Sequence, residues 1–135
     1  MNIFFKIISL GLFLLLFSCN KDRGINTLKI GEITEIKLGE TVDNTQYGLS
    51  LQVENISDGR CPIGVYCFWE GNASVDFNLT TKKGKYNFTL DVHPPPFFKN
   101  DTVIEGMKYQ LIDVLPYPDI NEEHMEKVVK ILVEK

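Results

Sequence analysis

Strict two-residue alternation of apolar and polar side chains is the feature that most narrows the folds open to this chain. Leu49, Leu51 and Val53 alternate with Ser50, Gln52 and Glu54; Val75, Phe77 and Leu79 alternate with Asp76, Asn78 and Thr80. Tyr86, Phe88, Leu90 and Val92 alternate with Asn87, Thr89 and Asp91. Successive side chains on an extended strand point to opposite faces, so each stretch has one dry face and one wet face. That is the pattern of half-buried antiparallel strands. Between the last two stretches, Lys82-Lys83-Gly84-Lys85 is a short connection containing glycine, which predicts a hairpin.

Weaker strands flank these. Residues 28–31 and 33–38 are apolar enough to open the domain, and Gly39 with Asp43-Asn44 punctuates before Leu49. Met107, Tyr109 and Leu111 alternate, and then Ile112 and Val114 switch face, which predicts a bulge at Leu111-Ile112. Pro116-Tyr117-Pro118 stops that strand. Residues 120–126 read as a loop or short helical turn, and the β-branched run after them as a closing strand over 128–134. Seven to eight short strands with turn signals between them predict an all-β fold, an antiparallel sandwich or small barrel.

The N-terminus carries an address. Lys6 and the initiating amine precede the mostly apolar run 7–17, which is shorter than the roughly 20 residues a membrane span needs. Leu16-Phe17-Ser18-Cys19 resembles a bacterial lipobox, with Phe17 bulkier than the usual residue there. The resemblance implies that residues 1–18 are a cleaved signal peptide and that Cys19 becomes an acylated first residue, anchoring the chain to a membrane. Residues 19–26 would then be the lipidated cysteine and a polar tether. The seven residues after Cys19 reach at most about 25 Å. Asn20 is not an acidic retention residue, so the expected destination is the outer membrane, periplasmic face or cell surface; Lys21-Asp22 resembles surface-export signals of Bacteroidota lipoproteins.

Loss of residues 1–18 leaves 117 residues, enough for one compact domain over 27–135. The mature chain carries 13 basic against 18 acidic side chains once Lys6 is gone, with no Lys/Arg cluster. Nucleic acid is therefore not an expected partner. With Cys19 used for lipid, Cys61 and Cys67 remain as an even pair in an oxidising compartment, which argues for one disulfide. A soft-metal dithiolate is the competing reading, but no third or fourth ligand lies at useful spacing, so no metal site and no cofactor is expected.

The segment from Arg60 to Gly71 is the other distinctive stretch. Cys67 and Trp69 are two apart, which on a strand would put both on one face, a disulfide beneath an indole in a core cluster. Pro62 and Gly64 shape the loop, and Gly71 suits a turn or a close backbone approach. Asp58-x-Arg60-Cys61-Pro62-x4-Cys67-x-Trp69-x-Gly71, with Leu115-Pro116-Tyr117-Pro118 later, resembles a group of uncharacterised bacterial secreted proteins and lipoproteins. What that resemblance implies is an extracytoplasmic β domain; it names no substrate.

For function, a disulfide-constrained loop is preorganised, and Arg60, Ile63, Val65 and Tyr66 form a candidate contact patch for a partner protein or glycan. The alternative for Arg60 is an ion pair with Asp58 or Glu70 across the loop base. A second functional class is an inhibitor or stress-response accessory whose constrained loop enters an enzyme's cleft, with Arg60 suited to a trypsin-like pocket. Catalytic motifs are missing from the sequence: no Gly-x-Ser-x-Gly, no His-Glu-x-x-His and no phosphate-cradling glycine loop. His93 with Asp91 or Asp113 is the one convergent grouping worth testing, and no enzyme is expected. His93-Pro94-Pro95-Pro96-Phe97-Phe98 reads as a crossing between sheets, with Phe97 or Phe98 plugging the core or exposed as a docking loop. His124 reads as solvated. Five Asn-x-Ser/Thr triplets, at Asn55, Asn72, Asn78, Asn87 and Asn100, are incidental in a bacterial chain, and Asp101-Thr102-Val103 resembles a Bacteroidota O-glycosylation site.

Overall fold

A computed structural model of the chain describes residues 26–93, 96–97, 99–121 and 125–135. The expected signal peptide, Cys19 and most of the tether lie outside these residues, as do Phe98 and His124. Eight strands follow in order: β1 Ile33–Lys37, β2 Thr41–Asn44, β3 Leu49–Asp58, β4 Ala73–Thr80, β5 Lys85–Asp91, β6 Asp101–Ile104, β7 Met107–Leu115 and β8 Val128–Glu134. They form two four-stranded antiparallel sheets, ordered β2-β3-β4-β5 and β1-β8-β7-β6. The sheets pack face to face and do not close, so the architecture is a sandwich rather than a barrel.

Alternation dictates which side chains meet between the sheets. Leu49, Leu51 and Val53 from β3 and Ala73, Val75, Phe77 and Leu79 from β4 are buried against Tyr109, Leu111 and Val114 from β7 and Val129, Ile131 and Val133 from β8. The β5 face is thinner: Leu90 is buried, while Tyr86 and Phe88 are half-buried at an edge. Phe88 stacks on Phe77 with ring centroids 5.3 Å apart. The expected hairpin is β4–β5, closed by Thr81, whose N–H donates to the Gly84 carbonyl at 2.8 Å. The expected bulge lies between Leu111 and Asp113, where the β7–β8 register shifts by one residue. That shift turns Val114 inward in step with Leu111.

Two ends of the sandwich result. The hairpin turns β2–β3, β4–β5 and β6–β7 lie at one end. The connections β1–β2, β3–β4, β5–β6 and β7–β8 gather at the other, as the contact between Arg60, just after β3, and Val114, near the end of β7, requires.

A stapled loop locked at its base and apolar at its tip

The β3–β4 connection is the candidate site. Its stem continues the pairing of the two strands: Gly59 N–H donates to Asn72 O at 2.9 Å and Cys61 N–H to Glu70 O at 2.8 Å. Above the stem, Cys61 and Cys67 are joined by the expected disulfide, with Cα atoms 5.9 Å apart. The two sulfurs are thereby removed as ligands for a soft metal. Gly71 is buried with φ near +73°, and a Cβ there would sit 2.0 Å from Gly59 O. Only glycine closes the stem at that point. On its other side the loop is tied down by Ile63, whose N–H donates to Pro118 O at 2.9 Å in the β7–β8 connection.

Arg60 is where the sequence-based contact patch needs correction. The residue is 5% exposed and faces inward. Its Nε and Nη2 donate to the two carboxylate oxygens of Asp58 at 2.8 and 2.7 Å, Nη2 also donates to Val114 O at 2.6 Å, and Nη1 to Asp113 Oδ1 at 3.2 Å. The guanidinium lies 4.5 Å from the centroid of the Tyr117 ring. Lys127 completes the cluster, donating to Asp58 Oδ2 at 2.9 Å and to Pro116 O at 2.7 Å. A buried arginine is tolerable here because its planar fork finds acceptors in nearly every direction. Burial pushes the Asp58 carboxyl up, but hydrogen bonds from Arg60 and Lys127 and the guanidinium charge outweigh it and hold the group below its ordinary value. So Arg60 pairs with Asp58, the alternative reading, and not with Glu70. It is withdrawn from the contact patch and from any role as a residue entering a protease pocket.

Trp69 is the second correction. Residues 61–71 carry no strand, Cys67 and Trp69 share no core face, and the indole is 65% exposed. The inward position at the loop base is held by the Arg60 guanidinium, and the aromatic residues of the loop face outward. Tyr66 and Phe68 are fully exposed, and Ile63 and Val65 are 57% and 41% exposed. Three of the four residues expected in the patch are therefore at the surface, joined by Trp69 and by Phe68, which sequence reasoning passed over. The adjacency Phe68-Trp69 was the available signal, since two neighbouring aromatic residues cannot both face one core.

The His93 grouping is differently arranged from the convergent site considered above. Nδ1 of His93 lies 3.1 Å from Asn72 Oδ1, and Nε2 lies 3.7 Å from Glu70. Asp91 is engaged by the Ser74 hydroxyl at 2.6 Å, the Asn72 amide at 2.7 Å and Lys99 N–H at 3.1 Å, while Asp113 accepts from Arg60. Arg60, Glu70, His93 and Asp113 line a shallow solvent-open cleft, in which Asp113 accepts from Arg60 and the His93 ring nitrogens face the Asn72 amide and the exposed Glu70 carboxylate. Phe97 is 88% exposed, so it does not plug the core. Among the described residues, no group of three or more His, Cys, Asp and Glu is placed to hold a metal.

No protein-family model, curated protein or solved structure matches the chain.

Proposed function

We propose that this chain is a lipid-anchored protein of the bacterial cell envelope that acts by binding, not by turnover, through the loop stapled by Cys61 and Cys67. The observation that carries the reading is the contrast within one loop. Its base is fixed by a disulfide, a glycine that admits no side chain and a buried ion cluster, while its tip exposes Ile63, Val65, Tyr66, Phe68 and Trp69. Apolar side chains held rigidly in water are unfavourable for the free protein and pre-set for contact, because little loop entropy is lost when they are covered. The lipobox at residues 16–19 supplies the address.

The test is a photo-crosslinking residue placed at Tyr66, and separately at Val103 on β6, in cells producing the full chain. Adducts from position 66 and none from 103 are the expected result. Equal or absent adducts at both would end the reading. The runner-up, an inhibitor loop, loses Arg60 as its inserting residue and keeps no observation that prefers it.

A further inference from the structure

Exposed apolar side chains are not spread over this molecule. Among the described residues, twelve large hydrophobic side chains are exposed, and ten of them lie in the four connections at one end of the sandwich. The exceptions are Ile33 in β1 and Val103 in β6. Besides the stapled loop, the end includes Leu38, Phe97, Ile120 and Met125, each more than half exposed. A monomer in water ordinarily scatters such residues singly, and their collection at one end marks a contact face.

The path of the chain says what covers that face. Residues 26–28 run parallel to β2: Asp43 N–H donates to Asn26 O, Leu28 N–H donates to Asp43 O, and the Asn26 amide bonds Glu40. Since β2 runs away from the apolar end, residues 26–28 do so too, and Asn26 is the end of this segment nearer the apolar face. Asn26 lies near the level of Val42, which pairs with Leu51, and the stapled loop begins after Asp58, about 23 Å further along β3. Six residues, 20–25, separate Cys19 from Asn26, and that span reaches at most about 25 Å. A fully extended tether would just carry an acylated Cys19 to the start of the loop.

We infer that the apolar end rests on the membrane that holds the acyl chains, with Tyr66, Phe68 and Trp69 seated in the lipid interface. This rests on the reading of Cys19 as the anchor. Tyrosine and tryptophan are the residues that favour that boundary, having apolar bodies with polar handles. Between Cys61 and Gly71 the one charged side chain is Glu70, so the contact is apolar and does not depend on anionic headgroups. Acyl chains retain the protein; the loop orients it, with the hairpin end pointing away from the bilayer.

Trp69 is the single tryptophan of the chain, so its fluorescence reports this contact directly. The lipidated protein is placed in vesicles of phosphatidylcholine, plain or brominated in the acyl chains. It is compared with the polypeptide 19–135 carrying Cys19→Ser, free of vesicles. The expected result is a blue-shifted emission, quenching by brominated lipid, and at least threefold lower acrylamide quenching in vesicles. Trp69 equally open to acrylamide in both preparations overturns the inference. Tyr66→Ser with Phe68→Ser, both fully exposed positions, should abolish the blue shift and leave the thermal midpoint unchanged; persistence of the shift also overturns it. The mass of the mature N-terminus separates the two readings. An acylated protein with an open Trp69 ends the lipid contact alone, and adducts to a protein from position 66 would then keep the binding reading. An unmodified cysteine removes the anchor and the inference with it.

Discussion

Replacing Arg60 by methionine is the sharpest test of its role as a lock rather than a contact residue. The substitution keeps an unbranched apolar stem but deletes the fork that donates to both Asp58 oxygens and to Val114 O. Asp58, whose side chain is 8% exposed, keeps Lys127 at 2.9 Å as its counter-ion. Removing one partner of a buried ion pair typically costs about 3–5 kcal/mol, because the other charge is stranded. With Lys127 still in place the lower end applies, about 3 kcal/mol. In a domain of this size that corresponds to a fall in melting temperature of roughly 12 °C. Arg60→Lys restores a cation without the bidentate geometry and should lie between the two. Asp58→Asn should cost much less in the Arg60→Met background than alone, giving a coupling above about 1 kcal/mol. Urea denaturation of the parent and these four variants measures the free energies, and thermal melts measure the temperature shift. If Arg60→Met melts within about 1 kcal/mol of the parent, the cluster does not hold the loop base and the reasoning fails.

Other expectations follow from the same contacts. Replacing Cys61 and Cys67 by serine should lower stability by about 2 kcal/mol, the chain-entropy value for so short a loop, and an unmoved urea midpoint would contradict that. Tyr109 is fully buried, its hydroxyl has no hydrogen-bond partner among the described residues, and burial pushes it up to about 12. Tyr109→Phe should therefore be neutral or stabilising by up to about 1 kcal/mol; a loss greater than that in thermal melts would reveal a partner for the hydroxyl. Asp58 and Asp91 are both held below the ordinary carboxylate value: burial raises each, but hydrogen bonds from Arg60 and Lys127, and from Ser74, Lys99 and Asn72, outweigh it. A carboxyl depressed in the folded state stabilises above its unfolded value and loses that contribution as pH falls through the folded one. Urea midpoints should be level from about pH 7 to 5 and fall below about pH 4, less steeply in Asp91→Asn; a rise on acidification would contradict the sign.

Period-two alternation made β3, β4, β5 and β7 legible, because each has at least three positions whose burial alternates. The face switch after Leu111 located the bulge for the same reason, and β-branched residues identified β8. The misses are the two four-residue edge strands, together with residues 28–31, expected as a strand but making only an isolated bridge at Ile30. β2 buries only Val42 and β6 buries nothing, so neither leaves a periodic trace. Asp43-Asn44 looked like punctuation because it ends such a strand, and Asp101-Thr102-Val103 looked like a modification motif instead of the β6 edge. Sandwich and barrel differ only in long-range edge pairing, to which local pattern is blind.

The stapled segment misled for a more instructive reason. Residue type ordinarily decides burial, tryptophan inside and arginine outside, and here the two are exchanged. Arginine can go inside because Asp58 and the neighbouring Asp113 and Val114 carbonyl converge on it from two parts of the chain, and that convergence is a property of the fold. The guanidinium occupies the base of the loop, and the indole stands outside it. Trp69, Phe68 and Tyr66 face outward, at a loss in the free protein that a membrane or partner surface would recover. On this account the lock and the contact surface are one device: loosening Arg60 should let Trp69 collapse inward. The emission of Trp69 in Arg60→Met, without vesicles and below its melting point, should shift to the blue, whereas an unshifted indole would mean that the two features are independent.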